Sequence, residues 1–446
     1  MATTEEDNMN VRELTLSLLL DCEANGKYVN LALSSRRTDN LSADERSFLT
    51  VLLYTVAERK ITYDYYISAI SGRSLDKIDP TTLNILRIGM CQITDISSVP
   101  DHAAVNETVS LARNPGERSF VNGVLRQAVR LKADGKLPLP PRERKVSRYL
   151  SIAYSFPHWM VKHFISLYGE NDTEKLLAHF NNARYTDLTV NLTKTSRDDL
   201  VDRLEKAGYT ISESVETPLS VRLSGSVNPR NLPGFEDGLF FVQDAACAVS
   251  AEALGISKGD RIIDVCACPG GKSLAAAILS DNGEVVSFDI HDSKLSLIED
   301  GAKRLGLTGI TVGECDATNP RDELFGSFDK VICDVPCSGL GVLGKKPDIR
   351  HRDNQSLQEL PDLQYNILSA SVNYLKDDGV MIYSTCTLNP EENERVVERF
   401  LEEHKEFCTV DFALGNIKSH NGMLTLLPHV HGTDGFFIAK IRKEKI

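Results

Sequence analysis

From about residue 228 onward the sequence alternates in a way that few architectures accept. Short β-branched runs (RIIDV, EVVSFDI, GITVGE, DKVICDV, GVMIYST and, near the end, FFIAKI) are mostly separated by amphipathic stretches such as SKLSLIEDGAKRLG and LQYNILSASVNYLK. Strands of this kind with helices between them predict an α/β fold, a doubly wound and mainly parallel sheet of Rossmann-like type. Ligands of such sheets bind outside the carboxyl ends of the strands. The residues that close each strand are therefore where chemistry is expected.

The first of these strands runs into DVCACPGGKS and then into the helix-like LAAAIL. Strand, glycine turn and helix form the layout that binds phosphates or a nucleotide cofactor at a helix N-terminus. A phosphate-binding P-loop needs a glycine five residues before Gly271, and that position is Cys266. A Rossmann G-x-G-x-x-G is absent as well. What remains is a tight Pro269-Gly270-Gly271 turn that lets the backbone approach a nucleoside or carboxylate-bearing ligand. The next strand ends at Asp289, placed to accept both ribose hydroxyls. Asp316 follows the third strand, near the expected place of an adenine ring, and Asp334 ends the fourth. Any one of these acids is by itself an ordinary turn or cap residue. Together with Asp264, and without a triphosphate motif, they point to S-adenosyl-L-methionine.

Two cysteines stand at neighbouring strand ends. Asp334-Val335-Pro336-Cys337 follows the fourth strand and Thr385-Cys386 the fifth. Parallel neighbours lie about 4.8 Å apart, so if these strands pair, both thiols face the cofactor crevice. Small buried core residues are the plain alternative for a free cysteine. Zinc is disfavoured, since Cys266-x-Cys268 and Cys333-x-x-x-Cys337 lack paired knuckles; no metal is expected. A thiol answers a specific chemical need. Carbon 5 of cytosine is a poor nucleophile until a thiolate adds at carbon 6, and an acid near N3 must favour the charge that then develops.

The rest of the chain reads differently. Residues 1–135 are helical, with ADERSFLTVLLYTVAERK, NILRIGMCQI, AAVNETVSLA and RSFVNGVLRQAVRL at helical spacing and Asp79-Pro80 as a helix start. KLPLPPRERK reads as a linker. Residues 149–226 mix helical and strand patterns, which predicts a small α/β domain, and residues 227–446 hold the alternating pattern. The net charge of −13 argues mildly against nucleic acid. Residues 112–149, however, carry ten Lys and Arg against three acids. That stretch is either a solvated face or a phosphate-contacting surface. The N-terminal MATTEEDNMNVRE has no apolar core and LTLSLLL is too short to span a bilayer. A cytoplasmic location with no membrane partner follows. Six of ten cysteines fall between Cys266 and Cys386, which favours thiol chemistry over disulfides.

The motifs CACPGGKS, FDI at Asp289, CDAT at Asp316, DVPCSGLGVLGKKPDIR and YSTCTLNPEENE resemble those of the RsmB/NOP family of RNA cytosine-5 methyltransferases, Sun/Fmu type. By that resemblance Cys386 is the nucleophile, Cys337 the cysteine that helps release product, and Asp334 the acid beside the base. Cys266, Ala267, Cys268, Pro269, Gly270, Gly271 and Lys272, with Asp289, Asp316 and Asp334, would hold S-adenosyl-L-methionine. DNA cytosine methyltransferases use the Pro-Cys thiol instead, so carrying both cysteines implies RNA. PDHAAVNETVSLAR and ERSFVNGVLRQ are similar to a NusB-type RNA-binding domain, and the middle domain to the family's RRM-like insertion. The implied substrate is 16S rRNA, naked or in an early small-subunit particle, at cytosine 967, and the implied enzyme is a monomer. KKPDIRHR, after Cys337, is expected to steer RNA into the crevice. Cys268 and Val335 replace alanines usual in the family and remove no reacting group. Three competitors stand beside this reading: tRNA or another rRNA site as substrate, an RNA-binding scaffold with a vestigial catalytic domain, and a P-loop NTPase. Both cysteines and all the acids count against the scaffold, and Cys266 counts against the NTPase.

Overall fold

The computed structural model describes residues 10–25, 33, 41–182, 185–215, 217–351 and 358–444. Two compact units divide the chain, residues 1–181 with 346–352, and residues 182–345 with 353–446. The acidic stretch 1–9 and Arg352 of the KKPDIRHR segment lie outside the described residues.

The first unit is helical. Its helices are Val11–Asn25, Ala43–Ser71, Pro80–Thr94, Asp101–Ser110, Pro115–Ala133, Val146–Tyr154 and His158–Asn182. Ser42 opens the second through a capping box with Glu45, satisfying two amides that have no intrahelical partner. Asp79 caps the third by accepting the Thr81 and Thr82 amides ahead of Pro80. That helix is buried on nearly every side, with Ile85, Leu86, Ile88 and Met90 fully enclosed. Each such side chain contributes about 1.5–3 kcal/mol on leaving water.

The expected middle domain over 149–226 meets a different grouping. Its residues up to 181 fall in the helical unit, where the helix Val146–Tyr154 and the residue that follows it are tied in by two hydrogen bonds. Thr62 Oγ1 donates to the Ile152 carbonyl at 2.6 Å, and the Ile61 amide donates to Ser155 Oγ at 3.1 Å.

The second unit contains two principal sheets. Strands β1 (Tyr185–Val190), β2 (Ile211–Ser212), β3 (Ser220–Ser224) and β4 (Phe240–Val242) form an antiparallel sheet in the order β2-β3-β1-β4. β4 lies beyond residue 226, the boundary expected from sequence. The large sheet holds β5 (Ile262–Asp264), β6 (Val285–Asp289), β7 (Ile310–Glu314), β8 (Phe328–Asp334) and β9 (Leu375–Thr385), all parallel. β10 (Phe407–Thr409), β13 (Met423–Leu426) and β14 (Phe436–Lys443) complete it in antiparallel pairings; β11 (Ala413–Leu414) and β12 (Ile417–Lys418) make a separate hairpin. The order is β10-β14-β9-β8-β5-β6-β7, with β13 beside β14.

All six runs predicted as strands are strands. β10 to β13 carry no such run, being only two to four residues long. The chain winds from β5 through β6 to β7 on one side and continues through β8 to β9 on the other. The switch point, where such sheets open a crevice, is therefore between β5 and β8. No helix among the described residues is long and apolar enough to cross a membrane.

Candidate active site

On the β5–β6 side of the crevice the backbone does most of the shaping. After Asp264 the chain turns through 265–270 and enters the helix Gly271–Leu279. The Ala267 amide donates to the Phe288 carbonyl at 2.8 Å, and the Gly270 amide closes the turn on the Ala267 carbonyl at 2.6 Å. Gly270 has φ of +109°, and a Cβ there would stand 2.9 Å from Ile298 Cγ1. Glycine is required both for the dihedral and for the space. A Cβ on Gly271 would come within 2.8 Å of Gln243 Nε2.

Asp289 ends β6 with its carboxylate fixed by two amides, Cys268 at 2.9 Å and His291 at 2.9 Å. Each oxygen accepts one of these bonds and keeps capacity for another. Asp264 is buried, accepts Ser273 Oγ at 2.7 Å through Oδ2, and leaves Oδ1 without a protein partner. Burial pushes its carboxyl up to about 7. Burial, then the Asp289 charge, pushes the Cys268 thiol up to about 11, and burial raises that of Cys266 as well. Asp316 is exposed after β7 and uses Oδ1 to accept the Thr318 amide and hydroxyl at 2.9 and 2.8 Å.

On the β8–β9 side, side chains do the shaping. The register pairs Asp334 with Ser384, so β8 and β9 end level with one another. Cys337 and Cys386 then meet, Sγ to Sγ, at 3.2 Å. Asp334 Oδ1 accepts Ser384 Oγ at 2.7 Å, and Oδ2 accepts Lys272 Nζ at 2.6 Å. Lys272 was expected only as part of the cofactor loop. It is buried, 4.9 Å from the Phe436 ring centre, and links the two halves of the crevice. Burial works to lower its pKa, but the charge of Asp334 holds the ammonium well above the ordinary value. The Cys337 thiol is also held up, first by its hydrogen bond with Cys386 and then by burial, with Glu392 and Asp334 adding to the effect.

Glu392, Gln364, Asn389, Asn393 and Thr387 surround these thiols without having been singled out from the sequence. The motif YSTCTLNPEENE contains four of them, but nothing in their spacing says which side chains turn inward.

Within KKPDIRHR two cations have partners inside the protein. Lys345 pairs with Asp434 at 3.1 Å and with Asp244. Arg350 is fully buried in the helical unit, 4.0 Å from the Phe156 ring centre, with Nη1 donating to the Glu58 carbonyl at 3.3 Å. These two cations are engaged within the protein, while Lys346 of the same segment is exposed. In the basic stretch 112–149, Arg113, Lys132 and Arg142 are ion-paired with Asp79 and Glu117, Asp101, and Glu174 respectively. The other seven cations form no ion pair among the described residues.

Comparison with known proteins settles the family. A protein of Synechocystis named "Probable ribosomal RNA small subunit methyltransferase B" is 36% identical over 98% of this chain and 100% of its own length. This chain belongs to the RsmB/F family. The family described as "16S rRNA methyltransferase RsmB/F" matches residues 251–442, the NusB family 9–130, and the RsmF/B-like ferredoxin-like domain 156–229. The Shigella flexneri "Ribosomal RNA small subunit methyltransferase B" is 32% identical over 91% of this chain and 92% of its own. The crystal structure of PH0851 shares the fold, with a TM-score of 0.76 at 24% identity, covering 100% of this chain and 99% of that one.

As an RsmB/F protein it is an S-adenosyl-L-methionine-dependent rRNA cytosine-5 methyltransferase. The crevice fits that donor. It offers a glycine-lined turn that a Cβ would fill, the Asp289 carboxylate held by two amides with acceptor capacity to spare, and the orphaned acceptor of Asp264.

Proposed function

We propose that this enzyme methylates cytosine 967 of 16S rRNA through a covalent cysteine–base adduct, with Cys386 attacking, Cys337 assisting release and Asp334 serving the base. The observation that carries this reading is the 3.2 Å approach of the two sulfurs beside the Asp334–Lys272 pair.

Asp289 and Asp334, with the turn formed by Cys266, Ala267, Cys268, Pro269, Gly270, Gly271 and Lys272, would hold the donor, and Asp316 would border its adenine end. Bound S-adenosyl-L-methionine supplies an electrophilic sulfonium methyl. Cys386 Sγ forms a bond to carbon 6, which makes carbon 5 nucleophilic. Asp334, half-buried, and the buried Lys272 form an acid–base pair able to balance charge as the ring is activated. Once carbon 5 bears the methyl group, its proton leaves to a base. The electron pair restores the 5,6 double bond and expels Cys386 Sγ. Cys337 lies close enough to exchange a proton with that departing sulfur. The neighbouring Cys386 and burial favour its thiol form.

The target base must leave its stack, at a cost of a few kcal/mol, so loops or partly assembled particles are favoured over closed duplex. The seven cations of residues 112–149 that form no ion pair among the described residues support phosphate contact and a steep salt dependence of binding. The enzyme is proposed to act as a cytoplasmic monomer on naked 16S rRNA or an early small-subunit particle. The test is to map 5-methylcytosine in small-subunit rRNA with and without the gene. Loss of the mark at cytosine 967 alone is expected. Loss at another position, or in tRNA, would overturn the site assignment.

A further inference from the structure

One sulfur lies on the loop after β8 and the other on the loop after β9, and no covalent link joins them. A buried acid does join the loops. The Glu392 side chain is wholly enclosed. Its Oε2 accepts the Ser338 amide at 2.8 Å and Gln364 Nε2 at 3.0 Å, while Oε1 accepts Asn389 Nδ2 at 3.0 Å. Ser338 directly follows Cys337, and Asn389 lies three residues after Cys386. Gln364 also donates to the Pro336 carbonyl at 2.9 Å, on the other side of Cys337. The Tyr383 hydroxyl fixes the Glu392 backbone carbonyl at 2.6 Å, and Ser338 Oγ meets Thr387 Oγ1 at 2.6 Å.

All three bonds to the carboxylate come from N–H donors, so both of its oxygens act as acceptors. Among the described residues no Lys or Arg pairs with it. An enclosed carboxylate without a cation is costly to desolvate, and it is tolerated here because three donors from both loops and the helix Leu360–Ser371 converge on it.

We propose that Glu392 is a positioning residue for the known reaction: it ties the Cys337 loop to the Cys386 loop and sets the approach of the two sulfurs. This rests on the reading of Cys337 and Cys386 as the reacting pair. Its negative charge also helps to keep Cys337 a thiol, behind the larger effects of Cys386 and burial.

The test uses the full chain with Glu392→Ala and Glu392→Gln, and two measurements. The first, without RNA, is the rate at which oxidised glutathione couples Cys337 to Cys386, read by mass spectrometry. Two protein thiols are oxidised to one disulfide as the glutathione disulfide is reduced to two thiols. The second is kcat and KM on rRNA. For Glu392→Ala, coupling should slow about tenfold and kcat fall about 100-fold while KM for RNA changes less than about twofold, the pattern of misplaced reacting groups. Glu392→Gln should recover most of both, because its amide oxygen accepts the Ser338 amide and Asn389 can turn its own oxygen toward the new NH2.

Wild-type coupling in Glu392→Ala, or a Gln variant as impaired as Ala, overturns the proposal. If Glu392→Ala does not fold, Glu392→Asp replaces it, since it withdraws the carboxylate by one methylene; wild-type coupling there is equally fatal. If coupling behaves as expected while Cys386→Ala still methylates rRNA, the catalytic assignment fails and the positioning role stands.

Discussion

Asp289 and Cys386 stand in the same crevice but are held in place by different means. Asp289 is oriented by two backbone amides from residues within 21 positions of it in the chain. Cys386 takes its position beside Cys337, 49 residues away, within a web of buried side chains that includes Ser338, Thr387 and Glu392. Amides presented by a turn tolerate most changes of neighbouring side chain, so the cofactor half is robust. The thiol half depends on several buried polar groups being satisfied together, and partial satisfaction of such a network is costly. On the proposed mechanism, the reacting groups lie in the half more sensitive to substitution.

The largest expected effects lie in the thiol half. Cys386→Ala should lower methylation at least about 10,000-fold, in line with removal of a nucleophile, and form no RNA adduct on denaturing gels. Cys337→Ala should accumulate that adduct, since attack proceeds while release stalls. The reverse pattern would exchange the two roles. Next comes Asp334→Asn, which removes the charge facing Lys272 and should lower kcat by about 100- to 1,000-fold. Donor affinity measured by calorimetry should change far less; an equal loss in both would show that Asp334 acts mainly by holding the donor rather than by serving the base.

In that cofactor half, Gly270→Ala meets a φ of +109° and a 2.9 Å clash with Ile298. A loss of about 1–3 kcal/mol in thermal unfolding is expected, together with weaker donor binding and unchanged disulfide coupling of the thiols. Loss of coupling would show that the halves are not independent.

The smallest effect is a pH slope. The Asp264 carboxyl is raised from 3.8 to about 7, so between those values the folded chain holds a proton that the unfolded chain releases. Stability from this group is full below 3.8 and is lost as pH rises through about 7. Asp264→Asn keeps an acceptor for Ser273 and removes the ionisation. Urea unfolding of the variant should show a shallower loss of stability between pH 5 and pH 8 than wild type; parallel curves would refute the assignment.

Much of the cofactor half was legible in the sequence because its geometry is local. The strand RIIDV, the Pro-Gly-Gly turn and the acid closing β6 each specify their own backbone within a few residues, and the structure places them as expected. The thiol half was legible only as a possibility. Two cysteines at strand ends meet only if β8 and β9 are neighbours in register, which the spacing of DVPCSG and STCTL does not state. Arg350 shows the opposite failure. Its basic segment reads as an RNA-facing loop, yet burial against Phe156 makes it part of the helical unit's interior.

The sequence by itself determined the alternating strands and helices, the glycine turn that excludes a triphosphate loop, the acids at the strand ends and the family. Tertiary structure alone decided the switch point between β5 and β8, the 3.2 Å meeting of the sulfurs, the Lys272–Asp334 pair and the inward turn of Glu392. Turns and strands follow from dihedral preferences and hydrophobic period, which act between near neighbours in the chain. Contacts across 49, 54 and 62 positions follow from strand order and packing, which no short stretch encodes.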